Sequence, residues 1–320
     1  MENIIKPIDN HLIINDLDGK LLCKTKKAGN EIYIFNAHNA PNIMKEIGRL
    51  RELSFRSAGG GSGKSYDLDE FDFLDRPFEQ LVVYNPDNQE IIGGYRFQHL
   101  ANIEFKNGEP NIPMSHIFSV SEKFLTDYAP HTIELGRAFI QPKYQSARMK
   151  LKSLFSLDNL WDGIGAMVSK HTEIQYLIGK VTIYPQMKPE ARFAIMYFLA
   201  KFFSDKEKLF FPKNLEKVPL DYSKKLEKLF NGNNLKENFK ILNIFVRKLD
   251  EHIPPLIRAY IELSDSMRTF GTVIDNDFGH IHDTGLMITI DDIYEDKKKR
   301  YLSEYRVIKN TILQKNTLKF

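Results

Sequence analysis

The sequence predicts a mixed α/β (α+β) fold, and three stretches carry that reading. Gln80-Leu-Val-Val-Tyr84, the turn Asn85-Pro-Asp-Asn88 and Glu90-Ile-Ile-Gly-Gly-Tyr-Arg-Phe97 form a β-hairpin pattern. Ser146 to Lys170 reads as a long helix, with Leu151, Leu154, Leu157, Leu160, Trp161, Ile164 and Val168 in one wide apolar stripe. Thr132-Ile-Glu-Leu-Gly-Arg-Ala-Phe-Ile140 reads as a strand that Pro142 ends, because proline cannot donate to a sheet ladder. Strands, a helix, antiparallel strands, a central strand, the long helix, a strand, a helix and a late strand do not make an alternating βαβ series.

The other elements follow in order. Residues 1–35 read as short strands, with Leu12 to Asp16 and Ile32 to Phe35 as apolar pieces and Asp16-Leu-Asp-Gly19 as a turn. From Ile43 to Phe55 the apolar residues keep helical spacing after a start at Asn39 or Asn42. Ile103 to Phe105 reads as a short strand, and residues 117–128 as a short helix or loop with one buried face. Ile174 to Ile183 is rich in strand formers and ends at Pro185, after which 190–203 is helical. The Lys-rich stretch 205–250 reads as a helical insertion or flap. Pro254 to Leu263 is a helix with proline in its first turn. Phe270 to Asp277 reads as turn and loop, Gly285 to Ile290 as a final strand, and 295–320 as a charged tail, helical at first.

Composition excludes several classes. A net charge of +3, from 45 basic and 42 acidic residues, is too balanced for nucleic-acid binding by bulk field. The single cysteine, Cys23, rules out an internal disulfide framework and a cysteine-built zinc site, and suits a reducing cytoplasm. No secretory leader is expected at the N-terminus. The apolar run Phe193 to Phe203 is far short of the roughly 20 residues needed to span a bilayer. Contact with the inner membrane face as a peripheral protein stays open. The aromatic wealth of 190–211 reads as core, with an acyl groove or membrane-facing patch as the lesser alternative.

Glu134 and Arg137 interrupt an apolar strand. An acid and a base there are costly to bury unless they pair or act on something. Taken alone they fit a register-fixing ion pair. Ser57-Ala-Gly-Gly-Gly-Ser-Gly-Lys-Ser65 formally matches a relaxed phosphate-binding pattern, but a helix precedes it and an acidic stretch follows, so a mobile active-site loop is the better reading. His280, His282, Asp275, Asp277 and Asp283 match no defensible metal motif, and no metal is expected. Cys23 has no nearby histidine signature, so no thiol nucleophile is expected.

Four pieces then fall in one order: Arg51 to Phe55, Asp69-Glu-Phe-Asp72, Gly93-Gly-Tyr-Arg96 and Glu134-Leu-Gly-Arg137. The series resembles the acyl-homoserine-lactone synthases and, more closely, the ornithine lipid synthases and hemolysin-like acyltransferases of the GNAT type. Leu160-Trp-Asp-Gly-Ile164, and Ile253 to Tyr260 followed by Asp275-Asn-Asp-Phe-Gly279, extend the likeness over about residues 43–185 and 250–302. The resemblance implies a GNAT-like, mostly antiparallel central sheet flanked by helices, one such domain spanning 1–320. It also implies transfer of a fatty acyl group from an acyl carrier protein thioester to the amine of a small amino acid, of glycine or ornithine type, as a first step of amino-acid lipid synthesis. The alternatives are a non-catalytic lipid- or carrier-binding protein and a signal synthase.

On this reading Glu134, or Asp72 through a water, takes the amine proton, and Arg137 shares the catalytic centre. Asp69, Arg96, Arg51, Phe55, Phe139 and Trp161 bind substrate. Arginines suit a carboxylate because they pair with it bidentately. No bound cofactor is needed, because the thioester brings its own activation. The loop Gln141-Pro-Lys-Tyr-Gln-Ser-Ala-Arg148 lacks the glycines with which coenzyme A-dependent relatives cradle a pyrophosphate. The phosphopantetheine arm of acyl carrier protein is therefore the expected donor, with acyl-coenzyme A second. Lys143, Arg148, Lys150 and Lys152 offer a basic patch for that acidic partner, or else a solvated helix face.

Overall fold

The computed structural model describes residues 1–145 and 150–302, with the backbone alone at 102 and 150–154. In chain order the strands are β1 (Leu21–Lys24), β2 (Glu31–Phe35), β3 (Glu79–Asn85), β4 (Glu90–His99), β5 (Phe105–Lys106), β6 (Glu109–Pro110), β7 (Phe118–Val120), β8 (Thr132–Ile140), β9 (Tyr176–Ile183), β10 (Phe210–Pro212), β11 (Arg268–Asp275) and β12 (Ile281–Thr289). The helices are α1 (Asn10–Leu17), α2 (Pro41–Ser57), α3 (Lys150–Lys170), α4 (Pro189–Phe202), α5 (Leu220–Leu229), α6 (Leu235–Lys248), α7 (Pro255–Ile261) and α8 (Glu295–Tyr301).

Eight strands make one sheet in the order β1-β2-β3-β4-β8-β9-β12-β11. All neighbours run antiparallel except β8 and β9, which run parallel across the α3 crossover. This is the mixed, mostly antiparallel sheet expected. The β8–β9 ladder joins Thr132–Leu135 to Tyr176–Gly179 and stops there, so the rest of the two strands splays apart. On its other edge β8 carries a bulge: Arg137 and Ala138 lie opposite the single residue Tyr95 of β4. The hairpin's Gly93 is dictated by this close approach, since a Cβ there would lie 2.3 Å from the Phe139 carbonyl oxygen.

The strand alternation assigns each face a helical partner. Leu81, Val83, Tyr95, Phe97, Ile133, Leu135, Leu177 and Val181 pack with residues of α3 and α4 in one core. Val82, Tyr84, Ile91 and Phe139 pack on the other face against Ile43, Ile47 and Leu50 of α2. The stretch 205–250 holds β10, which pairs with β7, and the helices α5 and α6, whose Leu226, Leu242 and Val246 join the α4 core.

Three local expectations are corrected. Leu12 to Asp16 is helical within α1, because Ile13 and Leu17, one helical turn apart, are the residues buried. Phe270 to Asp277 is mostly strand β11. Gly271, at φ +94°, sits in a register shift that hides the alternation. The last sheet strand starts at Ile281, ahead of Gly285. Residues 146–149 of the expected long helix, and the tail beyond 302, lie outside the described residues.

Candidate active site

A row of polar side chains crosses the α2 face of the sheet. Register alone puts Gln80, Arg96 and Glu134 on that face, from β3, β4 and β8. Lys180 and Thr182 of β9, Asp283 of β12 and Asp275 of β11 continue it. The row runs over the point where β8 and β9 part.

Asp69 and Asp72 owe their spacing to a capping box around the turn Glu70–Asp72. Asp69 accepts from the Phe71 amide at 3.1 Å, and Asp72 accepts from the Asp69 amide at 3.1 Å. The turn thereby aims both carboxylates at arginines. Asp72 accepts from Arg96 at 3.2 Å, from Arg51 at 3.4 Å and from the Gln80 amide at 3.2 Å. Arg96 also pairs with Asp69, and Arg51 with Gln80. Arg51, Asp72 and Arg96 are buried, and the Arg96 guanidinium lies 5.5 and 5.3 Å from the rings of Phe71 and Phe78. These are paired, hydrogen-bonded charges, the condition under which burial is tolerated. Burial works to raise the Asp69 pKa, but Arg96 and Arg137 outweigh it and hold the carboxyl below its ordinary range.

Arg137 occupies the bulge with φ +48°, a left-handed backbone that costs a non-glycine residue about 1 kcal/mol or more. The bulge turns its side chain toward Asp67 at 2.9 Å and Asp69 at 3.1 Å. The guanidinium stacks 4.3 Å from the Phe278 ring, which in turn meets Phe55 edge-on at 5.2 Å. Desolvation pushes the Asp67 carboxyl up, against the pull of Arg137.

Glu134 is the odd member. Its Oε1 accepts from the Met114 amide at 2.9 Å, while Oε2 is buried without a hydrogen-bond partner among the described residues. Burial pushes its pKa up to about 8, with the Met114 amide, Arg96 and Lys180 pulling the other way. Two residues along, on the same face, Gly136 leaves space: a Cβ built there would meet no described atom within 4 Å. Across the splay, Lys180 pairs with Asp283 at 3.0 Å and Asp275 at 3.5 Å, and Thr182 donates to Asp283 at 2.6 Å. Arg137 and Lys180, on opposite lips, keep 21% and 20% of their side chains exposed; Arg51 and Arg96 keep 0% and 2%. The two lip cations are thus the ones within reach of a ligand.

Most of the expected site converges: Arg51, Phe55, Asp69, Asp72, Arg96, Glu134 and Arg137 lie in one cluster, and Phe139 walls it within the α2 core. Trp161 is a correction. It points to the opposite face, against Tyr260 at 5.5 Å and Tyr301 at 5.9 Å, because its α3 stripe packs under the sheet. Lys143 pairs with Glu90 at 2.5 Å. Arg148 and the side chains of Lys150 and Lys152 lie outside the described residues.

The Gly-rich loop is filled from within. The carboxylate of Glu52 accepts from the amides of Ser62 at 3.0 Å and Gly63 at 2.8 Å, and from the Ser62 hydroxyl at 2.7 Å. Gly61 and Gly63, both at positive φ, turn those amides inward. Asp275 and Asp283 serve Lys180, and His282 pairs with Glu216. Sequence reasoning missed Asp67, Gln80, Met114 and Lys180. Only Lys180, a lone charge in a strand pattern, carried a signal.

Residues 50–154 match the acetyltransferase (GNAT) domain family. A glycine N(alpha)-acyltransferase from Phocaeicola vulgatus is 46% identical over 307 residues, 95% of this chain and 94% of its own. One of the same description from Bacteroides thetaiotaomicron is 46% identical over 308 residues, 95% of this chain and 91% of its own. Among solved structures, FeeM, an N-acyl amino acid synthase from uncultured soil microbes, aligns over 82% of this chain and 93% of its own. Its TM-score is 0.36 and its identity 10%, too distant for functional inference.

Proposed function

Since the chain belongs to the glycine N-acyltransferase family and is a GNAT-type acyltransferase, we propose that it acylates the α-amine of glycine from the fatty acyl thioester of acyl carrier protein. The amine nitrogen forms an amide bond to the acyl carbon, and the carbon–sulfur bond breaks to release the phosphopantetheine thiol. One ammonium proton passes to Glu134, and a second leaves with the sulfur.

The observation that carries this reading is the Glu134 carboxyl, with one buried oxygen unpartnered and a pKa moved toward the working range of a general base. Most buried polar atoms are hydrogen-bonded, so a buried carboxylate oxygen left over points to a part in the chemistry. Arg137 and Lys180, facing each other across the splay, hold the glycine carboxylate and leave its amine toward β8. Asp72 is saturated by Arg51, Arg96 and Gln80, so its part is to position those groups. The unpaired edges beyond Leu135 and Gly179 suit an extended arm with its own amides, which adds to strand edges as a peptide does. That arm is common to acyl carrier protein and coenzyme A; the choice of carrier protein rests on the glycine-free loop 141–148, and synthesis of an amino-acid lipid is the setting that the product's chemistry implies.

The test uses purified protein, long-chain acyl carrier protein, and glycine, ornithine and lysine in separate reactions, with acyl-coenzyme A in parallel. Thiol release and an N-acylglycine mass are expected with the carrier-protein donor. No thiol release with any amino acid would sink the proposal.

A further inference from the structure

No helix among the described residues is long and apolar enough to cross a membrane. The surface around β10 and α5 nevertheless carries an unusual pair of properties. Phe211, Leu215 and Leu220 lie within ten residues of one another in sequence and are 46%, 47% and 69% exposed. Each is held outward by a fixed neighbour. Phe210 is locked inward between Phe124 at 4.5 Å and Phe270 at 4.6 Å, so strand alternation turns Phe211 out. Leu215 is tied to the β11 edge, where the next residue's amide donates to the Thr272 carbonyl at 2.8 Å. Leu220 opens α5, whose buried contact is made by Leu226 on another face.

The charge around them is one-sided. Residues 206–228 hold seven lysines, all exposed, and four acids. Two of the acids are already paired outside this lysine set: Glu207 with Lys123 and Arg268, and Glu216 with His282. Asp221 and Glu227 are left against the lysines at the surface. Exposed apolar side chains interleaved with exposed lysines along one segment complement a surface that is negative at its plane and apolar beneath it. Such side chains reach the acyl boundary while the ammonium groups stay among headgroups.

We propose that this face docks on an anionic lipid bilayer. The face is built on the module that holds Glu134. β10 pairs with β7, Phe118 of β7 shares a core with Met114, and the Lys213 ammonium donates to the Ser115 carbonyl at 2.7 Å. Met114 gives its amide to Glu134. Docking therefore sets the bilayer near the acyl-transfer site, where an acylated product leaves for lipid. The inference rests on the surface and holds whichever amine is acylated.

The test is flotation of the full chain with vesicles of zwitterionic lipid, and with vesicles in which about one third of the lipid is anionic, at low and high salt. Binding to anionic vesicles, weakened by salt and at least tenfold weaker on zwitterionic ones, is expected. Leu220→Asp, and separately Lys224→Glu with Lys225→Glu, should each lower anionic-vesicle binding about tenfold while acyl transfer in solution is unchanged. Leu220→Asp places an acid in the first turn of α5, which favours the helix, so lost binding would not reflect misfolding. Ile244→Asp, at an exposed apolar position of α6, should bind as the parent does. No binding to anionic vesicles, or equal binding by the Leu220 and Lys224/Lys225 variants, would overturn the proposal. So would loss of carrier-protein binding in those variants with vesicle binding intact.

Discussion

Glu134 and Arg137 stand three residues apart on one strand yet serve the same face of the sheet. In a regular strand that spacing would send them to opposite faces. The bulge opposite Tyr95 supplies the extra residue, and the left-handed backbone of Arg137 completes the turn. Glu134 and Arg137 therefore meet on the α2 face of the sheet, beside the point where β8 leaves β9.

Glu134→Gln keeps the shape and can still accept from the Met114 amide, but it cannot take a proton. We expect kcat/KM for acyl transfer to fall by about 10² to 10⁴, with an unchanged far-ultraviolet spectrum and a melting temperature no lower than the parent's.

The same residue predicts a pH dependence of stability. Its folded pKa, pushed up to about 8, lies above the ordinary glutamate value of 4.5. Between those values the folded state keeps a proton that the unfolded state has lost. Glu134 therefore makes stability fall as pH rises from about 4.5 to about 8, with no further effect above. Urea unfolding of parent and Glu134→Gln across pH 5 to 9 should show the gap moving in the variant's favour with rising pH. A gap independent of pH would remove Glu134 as the source.

Gly136→Leu tests the open space. The glycine has an ordinary φ and free volume above it, so the variant should fold with stability close to the parent's. Activity should be lost, because the new side chain fills the open space above Gly136, two residues along the same face from Glu134. A variant that stays active would move the reacting atoms elsewhere.

Lys180→Met tests acceptor binding. KM for glycine should rise at least tenfold with kcat much less affected, the signature of lost ground-state binding. Glycinamide, which lacks the carboxylate, should be used equally by parent and variant. An equal fall in kcat for both acceptors would instead give Lys180 a part in holding Asp275 and Asp283.

Trp161→Ala separates the two faces. Removal of a buried tryptophan from the α3 core should cost about 3 to 5 kcal/mol in urea unfolding, with little change in kcat/KM per folded molecule.

The hairpin and the α2 and α3 helices were legible because their apolar periodicities are long and uninterrupted. The cluster was legible from Arg51, Asp69, Asp72, Arg96, Glu134 and Arg137 in order, since charges inside apolar patterns need partners. Two things were hidden. Strand β11 was masked by Gly271 and its register shift, which break alternation. Lys180 and Asp283 meet only because β9 and β12 are neighbours, a pairing about 100 residues apart in sequence that no local pattern encodes. Trp161 failed for the opposite reason: its stripe is plain, but a stripe does not say which face of a sheet it covers.

Acyl transfer to glycine through Glu134 is tested most directly by the lipid extract of cells that express the protein, compared by mass with the extract of cells that express Glu134→Gln at equal folded level. A new N-acylglycine series is expected in the first and its loss in the second. The same series in both, or no new acyl-amino acid in either, would contradict it.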